Sequence, residues 1–446
     1  NKEEVQRFRC RDEELRKLNR RYDNGGFECI IIYGRRRVGK TALIGEFCRN
    51  KPTVFFSALL EATERDNLKA LSAAICACKD PRAADVPEYD SFDAAFREIT
   101  RMAADQRLVF VIDEYPYLAK SSPSISSRLQ HLIDHTWKES NLFLILCGSS
   151  MSFMENQVLG YQSPLYGRRT GQFKIEPLTY KETALFNPDS DNVTNALIYG
   201  VTGGIPHYIN KLNVRGDFRG ALLENFFDRS AYLFEEPANL LKQELREPAA
   251  YNSIIAAIAG GASRMNEIAT KTAIESGPCS KYLAVLVNLG ILKKETPMTE
   301  KPGKKTIYSI TDPFFRFWYR CVPGNFTPIA TGRMANIYDS AVNAYLSEYM
   351  GLIFERMCRE FLLWYVPDLG FQLADAGQWW GSDPDAKKQV QIDLVELALL
   401  KHYADVFAKG EKYHYCIFSK GGFTQTLKDA AVKENVMLVT LDDMYA

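Results

Sequence analysis

Gly34-Arg35-Arg36-Arg37-Val38-Gly39-Lys40-Thr41 decides the fold of the first part of this chain. The stretch fits G-x-x-x-x-G-K-[ST], a loop that turns successive backbone N–H groups toward the phosphates of a nucleotide. In that pattern Lys40 reaches the β- and γ-phosphates and the Thr41 hydroxyl holds Mg²⁺. Gly34, Arg35, Arg36, Arg37, Val38, Gly39, Lys40, Thr41 and Ala42 are therefore the expected nucleotide cradle. The flanks agree. Cys29-Ile30-Ile31-Ile32-Tyr33 reads as a buried strand, and Thr41 to Cys48 reads as a helix whose positive end faces the phosphates. A chance Gly-Lys turn is the bland alternative, and the strand–loop–helix context weighs against it.

Further along, Arg107-Leu108-Val109-Phe110-Val111-Ile112-Asp113-Glu114 is an apolar run ending in two carboxylates, the Walker B pattern. Asp113 is expected to hold the metal opposite Thr41, and Glu114 to orient or deprotonate the attacking water. Surface acids at a strand end would look the same, but the upstream P-loop favours the functional reading. Leu142 to Cys147 is a further strand, ending in Gly148-Ser149-Ser150. Ser149, with Ser150 second, is the candidate sensor of the γ-phosphate; a capped strand-to-helix turn is the alternative. Thr53 to Ser57 adds another strand. Parallel strands joined by helices bind ligands at their carboxyl ends, and all three motifs fall there.

Two weaker signals follow. In Leu165-Tyr166-Gly167-Arg168-Arg169-Thr170, the guanidinium of Arg168 or Arg169 is a candidate catalytic group for the γ-phosphate, in its own site or a neighbour's. A surface turn or a subunit contact is equally open. Thr202-Gly203-Gly204-Ile205-Pro206 reads as a turn that opens a helix, with Pro206 suited to a lid beside the base or to a plain interhelical turn.

The 446 residues exceed one ordinary domain of roughly 100–200 residues. Lys plus Arg and Asp plus Glu are 55 each, so net charge gives no argument for nucleic acid. Ten cysteines with no C-x-x-C pair suggest neither a zinc site nor a disulfide framework, and a reduced compartment. No apolar run reaches about 18 residues and no signal-peptide pattern opens the chain. A cytoplasmic protein with no membrane partner is expected. The first residue is Asn1 rather than Met, which suggests that residues precede it.

Residues 248–312 form a separate pattern. Helices are expected over Tyr251 to Ala259, Met265 to Ala273 and Ser280 to Leu289, then strands over Ile291 to Glu295 and Thr306 to Ile310. Three helices and a basic hairpin describe a winged helix-turn-helix. Lys281 on the third helix and Lys301, Lys304 and Lys305 on the wing could face DNA phosphates. The third helix carries few polar side chains fit to read base edges, so a protein-contact module stays open. The aromatic run Pro313-Phe314-Phe315-Arg316-Phe317-Trp318-Tyr319 reads as the packing of a domain junction. Beyond it come an amphipathic helix, Phe354 to Trp364, with Glu355, then Ile392-Asp393, a strand near 413–419, a helix near 424–434 and a last strand near 436–441.

Taken together, the chain resembles archaeal-type P-loop ATPases that carry a C-terminal nuclease-like domain, prokaryotic relatives of the AAA+ and STAND ATPases. The resemblance spans nearly the whole length. It is carried by residues 33–41, 110–118, 148–150, 165–170, 202–206 and 315–319, and by Trp379-Trp380-Gly381 with Ile392-Asp393. It implies ATP and Mg²⁺ at the first domain, with nucleotide roles on Lys40, Thr41, Asp113 and Glu114. It also implies a PD-(D/E)xK nuclease fold, in which Asp393 matches the first acid and Glu355 stands as the helix acid. The chain departs from that pattern, because no Glu-x-Lys strand lies between Asp393 and the helical stretch that follows. Either the site has been lost, or a strand is missing from the sequence as it stands.

The expected fold class is α/β. A P-loop NTPase parallel sheet (1–180) is followed by a helical lid (181–247), a winged helix (248–312) and a small nuclease-like α/β domain lacking one strand (313–446). The expected function is ATP hydrolysis coupled to the winged-helix and nuclease-like module, acting on DNA. The alternative is a regulatory signalling ATPase that binds protein partners or its own copies; an ATP-coupled nuclease is a third reading.

Overall fold

The computed structural model describes residues 10–80, 82, 88–296, 306–366, 380–383, 388–391 and 414–446. The chain divides into two compact units, Asn1–Pro177 with Ile205–His207, and Leu178–Gly204 with Tyr208–Ala446.

The first unit is built on five strands: β1 (Glu28–Tyr33), β2 (Thr53–Ser57), β3 (Leu108–Asp113), β4 (Leu142–Gly148) and β5 (Gly171–Lys174). Their order is β2-β3-β4-β1-β5 and every pairing is parallel. The three inner strands are the continuous apolar runs of the sequence. A strand covered on both faces has no polar side to show, and β3 and β4 are buried along their whole length. Edge strands β2 and β5 instead alternate in exposure. The register sets Tyr33 against Gly148, Ile112 against Leu146 and Ser57 against Asp113, so the carboxyl ends finish level.

Helices α1 (Asp12–Asp23), α2 (Lys40–Cys48), α3 (Glu64–Lys79), α4 (Phe92–Asp105), α5 (Tyr115–Ser121) and α6 (Ile125–His135) connect or cover these strands. Side-chain caps open α3 and α4. Thr63 and Asp66 form a reciprocal capping box at α3, and Ser91 accepts the Ala94 N–H at α4. Trp137 is fully buried among Phe96 and Phe110, its rings edge-on to both, and its indole N–H donates to Thr100 Oγ1 at 2.8 Å. A buried indole that keeps its hydrogen bond adds area without an unsatisfied donor.

In the second unit, helices Pro248–Ala259, Met265–Thr272 and Ser276–Asn288 lead into an antiparallel hairpin of β6 (Leu292–Glu295) and β7 (Ile307–Ile310). The third helix starts at Ser276, earlier than the sequence pattern suggests. Pro278 falls in its first turn, where a missing N–H costs nothing. Residues 297–305, with Lys301, Lys304 and Lys305, lie outside the described residues.

The aromatic run forms helix Pro313–Cys321 and is core. Trp318 Nε1 donates to Phe234 O at 2.9 Å, and Tyr319 OH donates to Asn252 Oδ1 at 2.6 Å. From the 22-residue helix Asn343–Trp364, Tyr349 OH donates to Gly200 O and Pro313 O at 2.7 and 2.8 Å. That helix is longer than its predicted part because Leu346, Tyr349 and Ile353 continue its buried face.

β8 (Trp380–Asp383) and β9 (Lys388–Gln391) pair antiparallel. β10 (Cys416–Ser419) and β11 (Met437–Thr440) pair parallel around helix Gln425–Glu434. Glu355 lies half-buried on the long helix, whereas Asp393 lies outside the described residues. Among the described residues no helix is long and apolar enough to cross a membrane.

One carboxylate links stability to pH. Glu98 on α4 accepts Arg101 Nη2 at 2.7 Å and pairs with Lys79 at the end of α3. The Arg101 hydrogen bonds, with Lys79 behind them, hold its carboxyl down to about 2. A depressed folded-state pKa stabilises above the ordinary carboxylate range and loses that contribution as pH falls toward the folded value. Glu98→Gln should therefore cost about 1 kcal/mol at pH 7, after discounting for partly exposed partners. The gap to wild type should close between about pH 4 and pH 2. Urea unfolding at pH 7 and pH 3 reads it, and a gap equal at both would refute the linkage.

Candidate nucleotide-binding site

The loop after β1 closes tightly against the chain leaving β5. Ile175 N–H donates to Tyr33 O at 2.7 Å, and a Cβ on Gly34 would stand 2.3 Å from the Ile175 carbonyl oxygen. No side chain fits there, so the first glycine of the motif is a close-approach residue. At the far end Gly39 takes the left-handed conformation, φ 95°, and opens α2.

Lys40 is buried, and its Nζ donates to Gly34 O and Arg35 O, both at 2.9 Å. Burial lowers the pKa of this ammonium, while Cys147, Glu114 and Asp113 nearby act in the opposite direction. In the same pocket the Cys147 thiol is pushed well up, by burial first and by Asp113 second.

Across the sheet edge, Thr41 Oγ1 donates to Asp113 Oδ2 at 3.2 Å. Asp113 is buried at the end of β3, and its Oδ1 accepts the Glu114 N–H at 3.1 Å. A hydroxyl beside a carboxylate is the hard oxygen pair that Mg²⁺ takes, so these residues fit the metal expected of them. Glu114 turns into left-handed backbone, φ 52°. Its carboxylate accepts Ser149 Oγ–H, at 2.9 Å to Oε2 and 3.1 Å to Oε1, and the Ser149 N–H at 3.4 Å. β4 lies between β1 and β3, so its end residue stands between the P-loop and the Asp113-Glu114 pair. Ser149, not Ser150, makes this contact.

The remaining predicted residues fall as follows. Val38 is fully buried, and Ala42 is exposed in the first turn of α2. Arg36 donates to Tyr117 OH and so ties the loop to α5. Pro206 comes to the loop's end, with its Cγ 3.9 Å from where a Gly39 Cβ would be. Arg168 is engaged elsewhere. Its Nε and Nη2 bond the Asp134 carboxylate of α6 at 2.7–3.1 Å, and its Nη1 donates to Tyr166 O at 3.0 Å. Those hydrogen bonds in turn hold the Asp134 carboxyl below its usual range.

Sequence reasoning missed Arg11. This buried arginine precedes α1 and donates to Val38 O at 3.4 Å, to Glu176 O and to Glu14 Oε1 at 3.3 Å. Its sequence surroundings, Arg11-Asp12-Glu13-Glu14, look like the charged first turn of any surface helix. Tyr117 falls within the 110–118 stretch that carries the resemblance, but no role attaches to it there.

Fold and site together define a P-loop ATPase. A family profile described as an ATPase domain predominantly from Archaea matches residues 8–212. A second, described as archaeal and bacterial proteins of unknown function, matches residues 318–409. An uncharacterized protein of Methanocaldococcus jannaschii is 33% identical over 394 residues, 87% of this chain and 84% of that one. An uncharacterized ATP-binding protein of the same archaeon is 54% identical over 44 residues, 10% of this chain and 75% of its own. The solved Walker-type ATPase PABY2304 of Pyrococcus abyssi shares the fold, with TM-score 0.55 and 22% identity, over 70% of this chain and 96% of that one. Residues 8–212 carry the ATPase domain that the first profile describes, and the chain as a whole belongs to one family with the 33%-identical Methanocaldococcus jannaschii protein.

Gly34→Ala tests the loop closure. The added methyl meets backbone oxygen rather than a flexible side-chain end, so relief requires moving β1 or the chain after β5. A loss of roughly 1–3 kcal/mol is expected from such overpacking. Denaturant unfolding would measure it, together with weakened nucleotide binding; wild-type values for both would refute the close-approach role.

Proposed function

We propose that Mg-ATP is bound and hydrolysed at the carboxyl edge of the five-stranded sheet, and that this cycle drives or times the C-terminal part of the chain. The carrying observation is that Thr41 with Asp113, and Glu114 with Ser149, converge at the ends of adjacent strands. In this reading the Lys40 ammonium exchanges the Gly34 and Arg35 carbonyls for phosphate oxygens. Thr41 and Asp113 would hold Mg²⁺, which when bound neutralises phosphate charge. Glu114 orients the attacking water, and Ser149 bonds the γ-phosphate. The Ser149 hydroxyl has one proton to donate. Turning it to the phosphate leaves Glu114 with the Ser149 N–H alone, so binding and activation are linked. Pro206 flanks the base beside the loop's end. Arg168 would serve a phosphate only after leaving Asp134, and its contacts support the role of a turn brace.

Lys40→Ala should abolish ATP binding, as read by calorimetry; unchanged affinity would remove the P-loop assignment. Glu114→Gln should bind ATP and turn it over about 10²–10⁴-fold more slowly. Wild-type turnover in that variant would deny Glu114 its role.

For the C-terminal part, DNA is the favoured partner. The supporting observation is the run of three helices followed by an antiparallel hairpin, with Lys281 exposed on the third helix. In this reading residues 181–247 are a lid, 248–312 a winged helix and 313–446 the attached module. Nuclease activity forms no part of the proposal. Replacing Lys301, Lys304 and Lys305 by Ala should flatten the salt dependence of duplex binding by about 0.9 in log–log slope per lost phosphate contact. An unchanged slope would turn the assignment to a protein partner.

A further inference from the structure

We infer that Arg11 is a positioning residue of the phosphate cradle: it grips the Val38 carbonyl and so aims the Gly39 N–H at the nucleotide. The inference rests on reading the loop as a phosphate site. A trans peptide is planar, and its C=O and N–H point to opposite sides. Whatever holds the Val38 carbonyl therefore sets the direction of the Gly39 N–H. Val38 is fully buried and Arg11 nearly so, and the guanidinium donates to Val38 O at 3.4 Å. The grip matters at this peptide because it joins onto a glycine with φ 95°. Glycine resists rotation less than any other residue, and a freely turning Val38–Gly39 peptide would offer the phosphates a carbonyl as readily as a donor.

Two further observations show that the chain is shaped to bring this side chain in. Cys10 and Arg11 are both left-handed, φ 66° and 69°, although neither is glycine. Such residues cost of order 1 kcal/mol each and persist only where surrounding contacts over-determine them. The same guanidinium also donates to the Glu176 carbonyl, in the segment just after β5, and to Glu14 Oε1 on α1. Arg11 thus joins the entry to α1, the P-loop and the chain leaving β5 through a single planar group. Guanidinium suits this task because its fork bonds separate acceptors at fixed angles and never loses its charge.

The test uses the full chain with Arg11→Met and Arg11→Lys, probed with ADP and with inorganic diphosphate, which has no base. Arg11→Met should weaken both probes by the same factor, about tenfold, the loss expected for one misaimed donor to a charged group. Arg11→Lys, which reaches one carbonyl at a time, should fall between. Three results would overturn the inference: diphosphate held as tightly as by wild type; weakened ADP with unchanged diphosphate, which would place Arg11 at the base; or a lowered unfolding midpoint with both affinities intact. If Arg11→Met does not fold, the Arg11→Lys affinities decide alone on the same criteria. Wild type binding neither probe would defeat the phosphate-site reading itself, a failure distinct from that of Arg11.

Discussion

Parallel pairing of β4 between β1 and β3 is the constraint on which the site depends. Three apolar runs, buried on both faces, finish level at one edge, and the residues at or just past those ends are the ones with chemistry. Neighbouring strands lie about 4.8 Å apart, so Asp113 stands about 10 Å from the β1 axis. A side chain on β1 could not reach it. The P-loop makes up that distance by carrying the chain sideways into α2, whose first turn presents Thr41 to Asp113. β4 fills the gap beneath, and its end supplies Ser149.

Burial then decides which partners these groups take. The Lys40 ammonium cannot remain bare in this pocket, and it folds back onto two loop carbonyls. Glu114 likewise rests on the Ser149 hydroxyl and N–H. The Arg168–Asp134 pair has a different character. A guanidinium bonded to a carboxylate through two nitrogens is a directional contact of charged partners, and it braces the turn before β5.

The second unit is organised by aromatic side chains that carry a polar tip. Trp318, Tyr319 and Tyr349 each bury a ring and place an N–H or O–H on a backbone or amide oxygen of another helix. The density of aromatics at 314–319 signals this core in the sequence, as does the apolar face of the long helix. Its N-terminal half, 343–353, mixes apolar residues with Asn343, Ser347, Glu348 and Gly351, and packing rather than propensity settles such a stretch.

The P-loop, the Asp113-Glu114 strand end, the inner strands and the α/β class were all legible along the chain. Phosphate recognition uses a short contiguous loop, and a strand buried on both faces must be apolar from end to end. Ser149 was legible only as one of two adjacent serines. Tertiary structure alone decided that Ser149 meets Glu114, that Arg168 is engaged by Asp134, and that Arg11 reaches the Val38 carbonyl. These contacts join residues separated by 35, 34 and 27 positions. No local periodicity specifies such a meeting, because it follows from strand order and from which buried polar group finds which partner.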